Sequence, residues 1–169
     1  GFTSIAEGLQ PEDLVTMLHS YFSRFDEIST KYNLEKIKTI GDAYMAVGGV
    51  PNSNKVTPAD VVRAAQEMID AAKDFQSDYL AKNQNYFEIR IGIHTGPVVS
   101  GIVGKSKFQF DIWGDTVNVA ARLEQNSLPG RINVSRATHE EIKDHFTCHS
   151  RGMVPIKNRG EVEMFFVDM

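Results

Sequence analysis

The stretch FEIRIGIH, residues 87–94, alternates apolar and polar residues along its whole length. Successive side chains of a β-strand point to opposite faces of a sheet, so this alternation predicts a strand with one covered face. It is the strongest signal of this kind in the chain, and segments with helical features lie on both sides of it. The fold class therefore follows from how helices and strands alternate around this segment.

Several segments have the spacing or the capping residues of helices. From Pro11 to Tyr32, apolar residues recur at helical spacing, and the proline suits a first helical turn. A second helix is predicted to begin after Thr57, which can cap it, and to end near Leu80. Shorter helices are predicted from Asp115 to about Asn126 and from Ser135 to about His145.

The remaining apolar segments are predicted to be strands. Residues 34–40 and 44–47 flank Gly41-Asp42, the pattern of a hairpin with a tight turn. Other strands are predicted at 98–103, at 131–134 and at 162–166, with an extended arm at 108–110. Because strands and helices alternate throughout, the fold class is α/β or α+β, with helices packed on a mixed sheet.

Length and composition fit one globular domain: 169 residues, 41% of them hydrophobic and 24% charged. No apolar run approaches the roughly 20 residues that cross a bilayer, so we expect no membrane contact from this domain. The net charge is −4 and no dense Lys/Arg cluster is present, which argues against nucleic-acid binding. The single cysteine, Cys148, excludes an internal disulfide and favours a reducing, cytoplasmic location.

A few polar residues stand out by their position. Lys38 and Asp42 lie in the predicted hairpin, Asp111 precedes the third helix, and Asn118 and Arg122 lie four residues apart on one face of that helix. Each also has an ordinary structural interpretation. Aspartate is common in turns, lysine on exposed strands, and polar residues on solvated helix faces.

Considered together, these residues belong to longer motifs. IKTIGDAY at 37–44 and DIWGDTVNVAAR at 111–122 closely resemble the class III adenylate and guanylate cyclase family. The resemblance extends over nearly the whole chain, through GFT at 1–3, RIGIHTG at 90–96 and KNRGE at 157–161. Motifs of this length, in this order and spacing, are specific.

The resemblance implies a fold and a domain. The expected fold is α+β, with a ferredoxin-like βαββαβ core, a mixed sheet with helices packed on it, and a C-terminal αβ extension. Residues 1–169 would form one cyclase catalytic domain that lacks its first strand. Family members commonly attach this domain to sensory or membrane modules, so regulatory domains are expected in the full-length chain, and a membrane anchor outside this domain is compatible with it.

The implied reaction is attack of the ribose 3′-hydroxyl of ATP on the α-phosphorus, with release of pyrophosphate. It requires two divalent cations, Mg²⁺ or Mn²⁺, and Asp42 matches one of the two metal-binding aspartates of the family. The other aspartate would lie just before the position of Gly1, outside the printed sequence. Backbone amides around Phe2 and Thr3 are expected to bind phosphate oxygens.

By the same resemblance, the base is bound by Lys38, which donates to N1 of adenine, and Asp111, which accepts from the amino group. Guanylate cyclases have glutamate and typically cysteine at these positions, so we expect ATP rather than GTP as the substrate. Asn118 matches the residue that orients the ribose, and Arg122 the one that stabilises charge on the α-phosphate.

Lys157 matches a lysine that binds the terminal phosphates. Its surroundings depart from the commoner Lys-Gly-Lys-Gly pattern, since Asn158 and Arg159 replace the middle pair. As an alternative, a Lys and an Arg beside a terminal hairpin are simply solvated.

The family divides its metal-binding and base-binding residues between two subunits. Both sets occur in this chain, which predicts a head-to-tail homodimer, with the arm at 105–110 reaching the partner. Two alternatives remain open: a guanylate or relaxed-specificity cyclase, and a catalytically silent nucleotide-binding module. His94, Cys148 and Trp113 are assigned structural roles, with the tryptophan expected in the core.

Overall fold

The computed structural model describes residues 2–51, 56–104, 108–156 and 160–169. The helices are α1 (Phe2–Glu7), α2 (Pro11–Lys31), α3 (Pro58–Ala81), α4 (Asp115–Gln125) and α5 (Arg136–Ile142). The strands are β1 (Glu35–Ile40), β2 (Ala43–Val47), β3 (Ile91–Ile93), β4 (Val99–Val103), β5 (Gln109–Trp113), β6 (Ile132–Ser135), β7 (Cys148–Ile156) and β8 (Gly160–Val167).

A mixed four-stranded sheet, in the order β3-β6-β8-β7, forms the centre of the fold. β3 and β6 are parallel, whereas β8 runs antiparallel to both β6 and β7. Two antiparallel hairpins, β1–β2 and β4–β5, form separate two-stranded sheets. This architecture confirms an α+β fold with helices packed on a mixed sheet.

The two faces of the central sheet bury different cores, because side chains alternate along each strand. On β6, Ile132 and Val134 are fully buried in a cluster that includes residues of α3 and α5. Leu123 of α4 packs against Met164 of β8 in a smaller cluster. Asn133, which is also fully buried, donates a hydrogen bond to α4.

Local sequence signals determine where several elements begin. Thr57 and Asp60 form a reciprocal capping box at the start of α3, as predicted. The hairpin predicted around Gly41-Asp42 is also confirmed, with Ile40 opposite Ala43. No helix in the described part of the chain combines the length and apolarity needed to cross a membrane.

The strand predicted at 87–94 is wrong over its first half, since only Ile91–Ile93 pairs as a strand. Phe87 is nevertheless buried, at 8% exposure. Its backbone bonds to a side chain instead of a strand: the Tyr21 hydroxyl donates to the Phe87 carbonyl at 2.9 Å and lies 3.3 Å from its amide nitrogen. Burial raises the pKa of Tyr21 to about 12. The alternation of apolar and polar residues at 87–90 therefore indicates which side chains are buried, and not that the segment pairs as a strand.

Helix α4 approaches β3 so closely that only glycine fits at position 92. A Cβ added to Gly92 would lie 2.1 Å from the backbone nitrogen of Glu124 and 2.6 Å from the carbonyl oxygen of Ala120. Both contacts are with backbone, so a side chain could be accommodated only if the helix moved. This contact sets the distance between α4 and the central sheet.

We expect Gly92→Ala to lower the free energy of unfolding by about 3 kcal/mol or more, because the added methyl overpacks against rigid backbone. Gly101→Ala is the matched control in a strand, since among the described residues its Cβ would meet only Trp113 Cζ3, at 3.6 Å. That control should stay within about 1 kcal/mol of wild type. Chemical denaturation of both variants measures the difference, and equal stabilities would contradict the close approach.

Candidate active site

An ion pair joins two hairpins that are distant in sequence. Lys38 Nζ of β1 lies 2.5 Å from Asp111 Oδ2 of β5. The side chains are 32% and 14% exposed, so the pair is partly shielded from water. The Ile112 backbone amide donates to the other oxygen, Asp111 Oδ1, at 2.8 Å. One carboxylate is therefore held by a side chain and by its neighbour's backbone.

These hydrogen bonds favour the ionised form of the aspartate. The Lys38 ammonium, and after it the Ile112 N–H, lower the pKa of Asp111 below its ordinary value. Asp111 is therefore an acceptor-only group at neutral pH, facing a lysine that only donates.

An open cavity of about 520 Å³ lies beside the pair and includes Lys38 in its wall. Trp113, Gly114 and Asn118 also line it. The other lining residues are mostly apolar: Ile40, Met45, Ile112, Val117 and the acidic Asp115. A largely apolar wall with a few polar groups is typical of a pocket for a small-molecule ligand.

Helix α4 brings two of the candidate residues to this region. It begins after Gly114, whose φ of 136° favours glycine. Asn118 is exposed and lines the cavity, and Arg122 lies one turn further along, partly buried. Arg122 Nη1 donates to Gln125 Oε1 at 2.6 Å, which holds the guanidinium along the helix.

Asp42 lies in the turn of the β1–β2 hairpin and is exposed. Within residues 2–51, 56–104, 108–156 and 160–169, it forms no hydrogen bond or ion pair, and none joins it to Arg122. Its carboxylate is a suitable ligand for Mg²⁺ or Mn²⁺. However, the same residues contain no group of three or more His, Cys, Asp or Glu that could hold a metal ion. The described donor set is therefore incomplete for a metal centre.

Among the described residues, those predicted to bind phosphate do not line the cavity beside the ion pair. Phe2 and Thr3 form the first turn of α1, where the Phe2 ring packs 5.4 Å from that of Phe87 and Thr3 is exposed. Lys157 lies outside the described residues. The structure thus brings Lys38, Asp111 and Asn118 together, and leaves the phosphate-binding assignments as predictions.

The family described as the adenylate and guanylate cyclase catalytic domain matches this chain over residues 1–169. The chain belongs to the class III nucleotidyl cyclases. The cyclase fold expected from the sequence motifs is therefore confirmed.

Curated relatives of this cyclase domain include both substrate classes. An adenylate cyclase of Mycobacterium bovis is 37% identical over 167 residues, covering 99% of this chain and 37% of that protein. Guanylate cyclase soluble subunit beta-2 of Rattus norvegicus is 36% identical over 167 residues, covering 98% of this chain and 24% of that protein. The chain therefore spans well under half the length of these relatives.

Solved cyclase structures give the same picture. The adenylyl cyclase CyaB from Pseudomonas aeruginosa superposes with a TM-score of 0.93 at 30% identity, covering 100% of this chain and 89% of that chain. The guanylate cyclase domain of RhGC from Catenaria anguillulae, solved in complex with GTP, has a TM-score of 0.90 at 30% identity, covering 99% and 90%. Overall similarity does not distinguish an ATP cyclase from a GTP cyclase.

The position of one residue that lines the cavity differs from the prediction. Trp113 was expected in the core, but it is 41% exposed and lines the cavity. The signal was available in strand alternation, which places Trp113 on the same face of β5 as Asp111 and opposite the buried Ile112.

A pH titration tests the ion pair. Because the pKa of Asp111 is lowered on folding, the stabilising effect of the pair is present above the ordinary aspartate pKa of 3.8 and is lost as the pH falls through the lower folded value. We expect Lys38→Met to raise the pKa of Asp111 toward the ordinary value, as followed by carboxyl NMR. Lys36→Met is the control on the same strand, because Lys36 pairs with Asp26 instead. Identical Asp111 titrations in wild type and Lys38→Met would contradict the pairing.

Proposed function

We propose that this domain converts ATP to 3′,5′-cyclic AMP and pyrophosphate. The observation that carries the proposal is the Lys38–Asp111 pair beside a cavity of about 520 Å³. Membership of the nucleotidyl cyclases supplies the reaction class, and this pair supplies the choice of base. We further propose a cytoplasmic location for the domain, where ATP is available.

The hydrogen-bonding polarities of the two side chains are complementary to those on the edge of adenine. Adenine presents an acceptor at N1 and a donor at its 6-amino group, so Lys38 donates to the first and Asp111 accepts from the second. Guanine reverses both positions, with a donor at N1 and an acceptor at O6. Each protein group would then face a group of the same polarity, and an unpaired polar contact in a pocket strongly disfavours the wrong base.

Residues of α4 serve the ribose and the phosphates. Asn118 can hydrogen-bond the sugar and hold its 3′-hydroxyl towards the α-phosphorus. The 3′-hydroxyl gives up its proton to water as its oxygen bonds to phosphorus, the bond to the bridging oxygen breaks, and the pyrophosphate leaves with that electron pair. Negative charge shifts onto the phosphate oxygens, which the donors of Arg122 stabilise. Lys157 and the amides near Phe2 and Thr3 are proposed to hold the terminal phosphates.

Class III cyclases use divalent metal ions, which when bound acidify the attacking hydroxyl and neutralise phosphate charge. We propose two ions, Mg²⁺ or Mn²⁺, with Asp42 as one ligand. The described residues do not complete this ligand set, so further ligands must come from elsewhere. The roles proposed for Lys38, Asp111, Asn118 and Arg122 do not depend on which of the two ions is bound.

The β4–β5 hairpin supports assembly into a head-to-tail homodimer. Val99 and Ile102 are each 69% exposed, Val103 is 57% exposed, and Phe108 is 79% exposed. Large apolar side chains clustered on one exposed hairpin are typical of a surface that a partner covers. In the proposed dimer, Asp42 of one copy faces Arg122 of the other, and the segment at 105–107 lies outside the described residues.

Base selection is tested by exchanging the pair. We expect the full-length protein to turn over ATP at least about 10²-fold faster than GTP, with a preference up to about 10⁴-fold. Lys38→Glu combined with Asp111→Cys should reverse this preference, because both hydrogen-bonding polarities change. Lys36→Glu is the control, since it makes the same lysine-to-glutamate change on the same strand, at a residue that does not line the cavity. Equal rates with both nucleotides in wild type would contradict the base assignment.

Complementation tests the shared site. Asp42→Ala and Arg122→Ala should each reduce activity at least about 10²-fold. In a mixture, about half of the dimers are mixed and hold one intact site, so roughly a quarter of wild-type activity should return. Arg122→Ala mixed with Asn118→Ala is the control. This mixture should regain no activity, because one copy supplies both residues to each site and every site therefore lacks one of them.

Failure of the first mixture to regain activity, with mixed dimers demonstrated, would contradict the shared site. An inactive full-length wild type that still binds ATP would instead favour the silent nucleotide-binding module.

A further inference from the structure

Asn133 is a polar residue at a fully buried position of the central sheet. Its strand neighbours Ile132 and Val134 are apolar and equally buried. Its amide nitrogen donates to the Leu123 carbonyl oxygen at 2.8 Å and lies 3.3 Å from Met164 Sδ. Its side-chain oxygen has no hydrogen-bond partner in the described part of the chain.

The carbonyl that Asn133 binds is at the C-terminal end of α4. The last four carbonyls of a helix have no partner within the helix, and a buried one needs another donor. The Arg122 carbonyl receives the Asn126 backbone N–H at 3.0 Å, and the Glu124 carbonyl receives the Ser127 N–H at 2.9 Å. The Leu123 carbonyl, which faces the sheet, accepts its hydrogen bond from Asn133 of β6.

The same end of α4 is fixed from two other directions. Gly92 of β3 allows the backbone of Glu124 to approach closely, as described above. Arg151 of β7 donates to the Asn126 carbonyl, just beyond the helix, at 2.7 Å. Gly92 therefore limits the distance of α4 from the sheet, and Asn133 and Arg151 each bind one carbonyl at its C-terminal end.

A buried amide with one unpaired oxygen is a poor contributor to stability. An apolar side chain of similar size would remove the unpaired oxygen, but it would also leave the buried Leu123 carbonyl without its donor, at a cost of about 1–3 kcal/mol. What the apolar side chain cannot do is bind the Leu123 carbonyl at one defined position. Directional hydrogen bonds of this kind select one arrangement of packed elements among several.

Arg122 directly precedes Leu123, and Asn118 lies on the turn before it, so any axial shift of α4 displaces both residues. We propose that Asn133 is a positioning residue for catalysis: its hydrogen bond to the Leu123 carbonyl fixes the register of α4 and thereby the places of Asn118 and Arg122. This inference rests on the proposed function. Base recognition by Lys38 and Asp111 does not depend on α4, so their contribution to nucleotide affinity should be retained.

The test is Asn133→Leu in the full-length protein, assayed with ATP. We expect the melting temperature to fall by a few degrees, about as in the control below, kcat to fall at least about tenfold, and KM to stay within about threefold. Amide hydrogen exchange within residues 115–125 should become at least about tenfold faster, while exchange in α3 is unchanged. Asn133→His should restore much of kcat, because its Nδ1–H occupies the place of the asparagine nitrogen.

Ile132→Val is the matched control, since it is equally buried on the same strand but faces the other core. It should lower the melting temperature by a few degrees and leave kcat unchanged. If Asn133→Leu does not fold, Asn133→Thr carries the same expectation, because its hydroxyl is too close to the backbone to replace the amide.

A folded Asn133→Leu with wild-type kcat and unchanged exchange in α4 would overturn the proposal. So would a loss of kcat that a folded Asn133→His does not recover. An inactive wild type would contradict the proposed function, whereas the exchange comparison would still decide whether Asn133 anchors α4.

Discussion

The candidate site depends on the contact between Lys38 and Asp111. The hairpins that carry these residues, β1–β2 and β4–β5, each form a separate two-stranded sheet in the described structure. The ion pair joins them side chain to side chain, over 73 positions of sequence. A partly buried carboxylate without its cation would lose hydrogen bonds and favourable charge interaction. The proposed recognition of the base and the relative placement of the hairpins therefore depend on one interaction.

The second half of the site is built on a different scaffold. Asn118 and Arg122 belong to α4, which packs on the central sheet through Gly92 and Asn133. The halves are joined directly along the chain, because β5 ends at Trp113 and α4 begins at Asp115. A single glycine with a positive φ separates them. The groups proposed to bind the base and the phosphates consequently have fixed relative positions only if both the Lys38–Asp111 contact and the packing of α4 on the sheet are maintained.

Local signals in the sequence predicted most of the elements, because caps and tight turns are decided by neighbouring residues. Thr57 and the Gly41-Asp42 turn are examples. Partners distant in sequence were not accessible in this way. Residues 87–90 alternate like a strand, but the backbone at Phe87 bonds to the Tyr21 hydroxyl, a contact that periodicity cannot reveal. Strand β7 was not predicted, because its residues are largely exposed and it is held by pairing with β8.

The sequence motifs could predict only those parts of the candidate site that lie within them. They identified Lys38 and Asp111 as a pair, and the geometry joins them, whereas the anchor at Asn133 belongs to no motif and is visible only from its contact with Leu123. Relatives that act on ATP and on GTP share this scaffold at similar identity, so the scaffold itself carries no choice of base. In the proposed assignment, substrate choice lies in Lys38 and Asp111, and the reaction rate depends on how rigidly the sheet holds α4. The assignment therefore implies that these two properties can change independently, because they depend on different contacts in the same small domain.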